Sequence, residues 1–263
     1  MGKTIGVLSL KGGVGKTTTV VSLGSAIADF GKKVLLIDSN FSAPNLGIHL
    51  NIIDPEVTLH HVLSRNAKVS DAIHERGNLD IIPASIFEKV NINPLELRNK
   101  ISGLKKKYDV ILIDSSPALN DETLAAIYAS DEILVVTTAD HPTLSTTMKA
   151  VKLAKQRKTP INGLILNKVH NKNFELSIED IEKASEVPVL AVIPHDVNIL
   201  KALSEFTPST AHKPRSKGTT EYKKLAATLI GEKYKPFRMG DFFNINPRRQ
   251  DINREIFYEV MFK

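Results

Sequence analysis

Residues 10 to 18 read Leu-Lys-Gly-Gly-Val-Gly-Lys-Thr-Thr, and they sit between two runs of opposite periodicity. Thr4 to Ser9 has the length and apolar content of a strand, while Thr17 to Phe30 carries Val20, Val21, Leu23, Ala26 and Ile27 at helical spacing. Strand, glycine turn and helix in that order are the start of a β–α unit. The glycines let backbone N–H groups turn onto an anion, and the helix adds its positive N-terminal dipole. The common pattern G-x-x-x-x-G-K-[ST] requires glycine at position 10, where Leu10 stands, so the loop is a variant. Gly12, Gly13, Val14, Gly15, Lys16, Thr17 and Thr18 are its candidate phosphate-binding residues. Lys16 is placed to reach β- and γ-phosphates, and Thr17 to put its hydroxyl on Mg²⁺. Lys11 precedes the loop and has no evident job inside one subunit.

Short aliphatic runs recur through the rest of the chain: Val34 to Asp38, Leu79 to Pro83, Val110 to Asp114, Glu132 to Thr137, Ile161 to Leu166 and Val189 to Ile193. Helical stretches separate them, which is an α/β pattern with a largely parallel central sheet of about seven or eight strands flanked by helices. Near-continuous runs such as Val110-Ile111-Leu112-Ile113 suit strands buried on both faces. Ligands in such sheets bind at the carboxyl ends of the strands. Three of the runs end there in polar groups, Ser9, Asp38 and Asp114.

The loop with its extra lysine resembles the deviant Walker A box of the MinD/ParA/NifH group of ATPases, and the resemblance runs to about residue 233. It implies the P-loop NTPase fold. It also implies that Lys11 reaches across a dimer interface to the partner's nucleotide, so that two copies close face to face with ATP between them. Asp114-Ser115-Ser116-Pro117-Ala118 looks like the switch II segment of the group, whose acid holds Mg²⁺ through water. Asp38-Ser39-Asn40 is similar to its D-x-D in switch I, followed by Pro44-Asn45-Leu46. The first acid is kept as Asp38, near Mg²⁺, but the second is Asn40. An amide oxygen can orient water yet cannot take its proton at neutral pH. If the missing acid acts electrostatically or as a base, turnover should fall by roughly 10²- to 10⁴-fold. Otherwise Asn40 is an ordinary water-orienting residue of a slow enzyme. Asn167 matches the asparagine that contacts adenine, and Pro194 and Asp196 fit the loop bordering the base. His170 stands where a guanine-reading acid would be in N-K-x-D, so the resemblance implies ATP rather than GTP.

Composition narrows the choice. The chain has 263 residues, 42% of them hydrophobic, enough for one large α/β domain. It contains no cysteine, which excludes thiolate metal ligation and with it the cluster-binding members of the group. It has no run of 18 apolar residues and no leader pattern before the first strand, which leads to the expectation of a cytoplasmic protein. The formal charge of +6 comes from scattered lysines. DNA is therefore a less favoured partner, although a ParA-like DNA-partitioning ATPase stays the alternative. The eight histidines show no metal-ligand spacing and read as surface or packing residues.

Residues 1–233 are thus expected to form the ATPase domain and 234–263 a tail. Residues 235 to 250 read as a linker or an adherent segment, and Asp251 to Lys263 as an amphipathic helix. Ile252, Ile256 and Val260 make one stripe, widened by Phe257, Met261 and Phe262. Bacterial MinD ends in such a helix, which binds membrane when dimerisation doubles it. Here Asp251, Glu255 and Glu259 offset Arg254 and Lys263, so packing on the chain's own domain, docking into a partner protein and peripheral contact with the inner face of the membrane all stay open. Closest to the archaeal MinD-like proteins, the chain is expected to be a slow, partner-regulated spatial switch, or an ATP-binding scaffold that hydrolyses little because of Asn40.

Overall fold

The apolar runs become an eight-stranded sheet in a computed structural model that describes residues 2–88, 91–236 and 247–263. The strands are β1 Lys3–Leu8, β2 Val34–Asp38, β3 His74–Arg76, β4 Leu79–Ile82, β5 Val110–Asp114, β6 Glu132–Thr137, β7 Ile161–Val169 and β8 Val189–Pro194. Their order is β3-β4-β2-β5-β1-β6-β7-β8, parallel throughout except for β3 against β4. The α/β fold and its parallel sheet are as the sequence predicts. β3 was not expected: His-Glu-Arg is three residues long and carries no apolar alternation, so only its pairing with β4 defines it.

Helices α1 Lys16–Ala28, α2 Leu46–His49, α3 Leu59–Leu63, α4 Leu97–Ile101, α5 Asp121–Ala129 and α6 His141–Gln156 fill the first part of the chain. They are followed by α7 Ile178–Ser185, α8 Val197–Ser204, α9 Ser209–His212, α10 Lys217–Leu229 and α11 Arg249–Phe262. Alternation along the strands divides the core in two. Ile111 and Ile113 of β5 pack with α3 to α7, while Val110 and Leu112 pack with α1, α2, α8 and α10. This is why these strands read as unbroken apolar runs: both faces are covered. The arrangement leaves the carboxyl ends of β1, β2 and β5 side by side, with Asp38 directly opposite Asp114 in the parallel register.

The predicted terminal helix forms, beginning at Arg249 rather than Asp251. Of the linker expected over residues 235 to 250, positions 237–246 lie outside the described residues. Of the three roles left open for it, the helix takes packing on the domain, largely through its polar side. Gln250, Asn253 and Arg254 are buried, whereas Ile256 is 55% and Val260 76% exposed. The reason is the sheet edge. Among the described residues strand β8 ends the sheet, and its outer carbonyls have no strand beyond to pair them. Asn253 donates to the Val189 carbonyl and Arg254 to the Leu190 carbonyl, each at 2.8 Å. Arg254 also pairs with buried Glu221 at 3.4 Å, and Phe257 is the apolar side chain that joins the core.

Candidate functional site

The glycine loop turns where the sequence places it. Gly13 and Gly15 have φ of 80° and 90°, a region that side chains bearing a Cβ seldom enter. At Gly15 a Cβ would also stand 2.2 Å from the Asn167 amide nitrogen. Space beside the Gly12 and Gly13 α-carbons is open, so no side chain crowds that edge of the loop. Val14 is buried and anchors the loop in the core on the α1 side of the sheet.

Beneath the loop, Lys16, Thr17, Asp114 and Asp38 converge. The Lys16 ammonium lies 3.0 Å from Asp114 Oδ1, with 8% and 1% of the two side chains exposed. Thr17 Oγ1 donates to Asp114 Oδ2 at 2.6 Å. Asp38 is wholly buried and accepts three backbone N–H bonds of 3.0 Å, from Asn40, Asn45 and Leu46. It therefore organises the loop that follows β2. Burial, and then the neighbouring charge of Asp114, push the Asp38 carboxyl up from 3.8 to about 7, against the pull of those three donors. A cation placed between the two acids would relieve that repulsion.

Asn40 is 5% exposed, and its Nδ2 donates to the Ala43 carbonyl, which keeps the loop turned. Its Oδ1 is buried with no hydrogen-bond partner among the described residues. In the segment after β5, Thr123 Oγ1 donates to the Ser116 and Ala118 carbonyls, and Asn120 caps α5. Ser42 of the first segment donates to Glu122 of the second, so the two stretches that flank the acids are tied together.

Lys11 does find a place within its own subunit. Its ammonium lies 3.3 Å from Asp140 Oδ1 and 2.5 Å from Thr143 Oγ1, at the N-terminus of α6, with 39% of its side chain exposed. Burial works against the charge on Asp140, but hydrogen bonds from Thr138, Thr143 and Lys11 outweigh it and bring its pKa down to about 2. Asp140 before a proline-bearing first turn is a legible helix cap. Its partnership with Lys11 is not legible, because the two lie 129 residues apart.

The residues expected around a base meet at the carboxyl ends of β7 and β8. Asn167 Nδ2 donates to the Val14 carbonyl at 2.8 Å and Lys168 Nζ to the Gly13 carbonyl at 2.7 Å, so both brace the glycine loop. Pro194 closes β8. Asp196 caps α8 through Oδ1 and receives the Gly218 N–H on Oδ2, which fixes the turn after β8. His170 and His195 stack at 4.6 Å beside this turn. The adjacent His60 and His61 behave as packing residues: His60 is 3% exposed, lies edge-on to Phe41 and accepts the Ser85 N–H.

Comparison with known proteins identifies the family. Residues 2–164 match the family model described as an AAA domain, and residues 103–230 match one described as a NUBPL iron-transfer P-loop NTPase. An uncharacterized ATP-binding protein of Methanocaldococcus jannaschii is 35% identical over 238 residues, covering 89% of this chain and 90% of that one. The structure of the cell division ATPase MinD from Pyrococcus furiosus is 37% identical, with a TM-score of 0.80 over 86% of this chain and 97% of that one. A septum site-determining protein MinD from Pyrococcus horikoshii, complexed with Mg-ADP, is 34% identical, with a TM-score of 0.81 over 87% and 96%.

Proposed function

The chain belongs to the MinD/ParA family of P-loop ATPases, and from that premise we propose that it binds Mg-ATP, hydrolyses it slowly and closes face to face on a second copy. The cycle makes it a spatial switch of the MinD type, read by a regulatory partner. The Mg-ADP in the related Pyrococcus horikoshii structure supports the choice of nucleotide.

In this reading, Gly12, Gly13 and Gly15 offer backbone N–H groups to the phosphates, with Val14 and Thr18 holding the ends of the turn. Lys16 leaves Asp114 for the β- and γ-phosphates, and Thr17 turns its hydroxyl from the same carboxylate to Mg²⁺. Asp38 and Asp114 steady the ion from the strand ends. Two carboxylates and one hydroxyl fit Mg²⁺, which takes few protein ligands and completes its shell with phosphate and water. When bound, the ion offsets the negative charge of the phosphates. Asn40 orients the attacking water through its free Oδ1. Asn167, Pro194 and Asp196 border the adenine.

The observation that carries the dimer is Lys11. Its ammonium rests, partly exposed, on Asp140 and Thr143, where a second copy can recruit it. Residues 1–233 form the ATPase unit and 234–263 an appended tail that works at the cytoplasmic side. The outward Ile256 and Val260 support a role for the tail at a partner or at the inner membrane face. Among the described residues no helix is long and apolar enough to cross a membrane.

Equilibrium titration with a fluorescent ATP analogue, with and without Mg²⁺, together with phosphate release, tests the reading. Mg²⁺-dependent binding and slow release support it, and failure to bind ATP overturns it. Binding to DNA that weakens steeply with salt would favour the partition-type alternative.

A further inference from the structure

Three buried side-chain polar atoms have no hydrogen-bond partner among the described residues: Thr4 Oγ1, Asn40 Oδ1 and Glu122 Oε2. The last two belong to the pair of segments that flank Asp38 and Asp114. Native chains rarely keep such groups unless a ligand or water completes them. Glu122 stands in the first turn of α5, where the helix dipole favours an acid, and is 7% exposed. Its Oε1 accepts the Ser42 hydroxyl, so it holds the loop that begins with Asn40 while its other oxygen stays free. Ser42 lies only two residues beyond Asn40, and the bond from Asn40 Nδ2 to the Ala43 carbonyl makes that stretch one tight turn. A buried carboxylate therefore stands beside the loop that carries Asn40, where the resemblance implies an acid.

We propose that Glu122 is a positioning residue for hydrolysis. It acts through Ser42 on the turn that carries Asn40, fixing where the Asn40 Oδ1 receives the attacking water. In the reaction that water's oxygen bonds to the γ-phosphorus, the bond from phosphorus to the bridging oxygen breaks, and the water proton leaves with the phosphate. This inference rests on the ATPase reading above.

The test uses the full chain as wild type, Glu122→Gln, Glu122→Asp and Ser42→Ala. Three quantities are read: affinity for a fluorescent ATP analogue with Mg²⁺, KM and kcat from phosphate release, and the ATP-dependent dimer fraction by light scattering. The expected result for Glu122→Gln is a kcat lower by ~10-fold or more with KM and ATP affinity within about twofold of wild type. The ATP dimer should persist at least as long as in wild type, since binding survives and turnover does not. Glu122→Asp should regain part of the kcat, and Ser42→Ala should fall between. Unchanged kcat in Glu122→Gln overturns this inference alone. So does a parallel loss of ATP affinity and melting temperature, which marks a structural residue. Wild-type protein that binds ATP without turning it over overturns the inference together with the enzymatic reading.

Discussion

The Lys11 ammonium lies 3.3 Å from the Asp140 carboxylate and 2.5 Å from the Thr143 hydroxyl, joining the start of the glycine loop to the start of α6. The contact keeps within one subunit a lysine whose proposed work is in the other. A partly exposed ion pair of this kind contributes ~0.2–1 kcal/mol. Asp140→Asn removes the charge but keeps the cap on Thr143. The ATP-dependent dimer should then form ~1.4- to 5-fold more readily, as read by light scattering over a range of protein concentrations. A weaker dimer would mean that the contact does not compete with association.

Asn40→Asp should raise turnover by ~10-fold or more, because it restores the acid at the loop that orients water. It also removes the donor that Asn40 gives to the Ala43 carbonyl. That loss costs ~0.5–1.5 kcal/mol, so the melting temperature should fall by ~1–6 °C while phosphate release accelerates. No increase in release would show that the amide does not limit hydrolysis.

Asp38 gives the nucleotide-free protein a pH dependence. Burial and Asp114 raise its carboxyl from 3.8 to about 7, so between those values the folded chain holds a proton that the unfolded chain has lost. The stability this group contributes is complete below about pH 4 and is lost as the pH rises towards about 7. In EDTA, the melting temperature of wild type minus that of Asp38→Asn should therefore fall across this window and level off above it. A difference that rises with pH contradicts the assignment.

The tail offers a contrast between its two faces. Arg254→Ala breaks the bond to the Leu190 carbonyl and leaves Glu221 with only Arg248 and Lys224, at a cost of ~2 kcal/mol. The melting temperature should drop by ~4–8 °C. Ile256→Glu, on the outward stripe, should change it by less than ~2 °C. Equal losses would mean that the stripe, too, packs on the domain.

Much of this arrangement is legible in the sequence because it is local. The glycine loop, the strand of Val110 to Asp114 and the acids at the strand ends follow from periodicity and from residues a few positions apart. Asn167 stands out by resemblance, although the bond it makes is to the Val14 carbonyl of the loop itself. What periodicity leaves dark depends on partners far along the chain. Asp140 meets Lys11 across 129 residues, and Glu122 meets Ser42 across 80. The tail is the clearest case. Its apolar spacing leaves open which face packs on the domain, because the edge carbonyls of Val189 and Leu190, which hold Asn253 and Arg254, have no signature in residues 251–263.

Light scattering of wild type and Lys11→Ala, each with Mg-ATP and then with Mg-ADP, tests whether Lys11 joins two copies around the nucleotide. Wild type should be a dimer with ATP and a monomer with ADP, and Lys11→Ala should stay monomeric with both. A wild-type mass that is the same with either nucleotide, or a Lys11→Ala chain that dimerises as wild type does, would contradict that role.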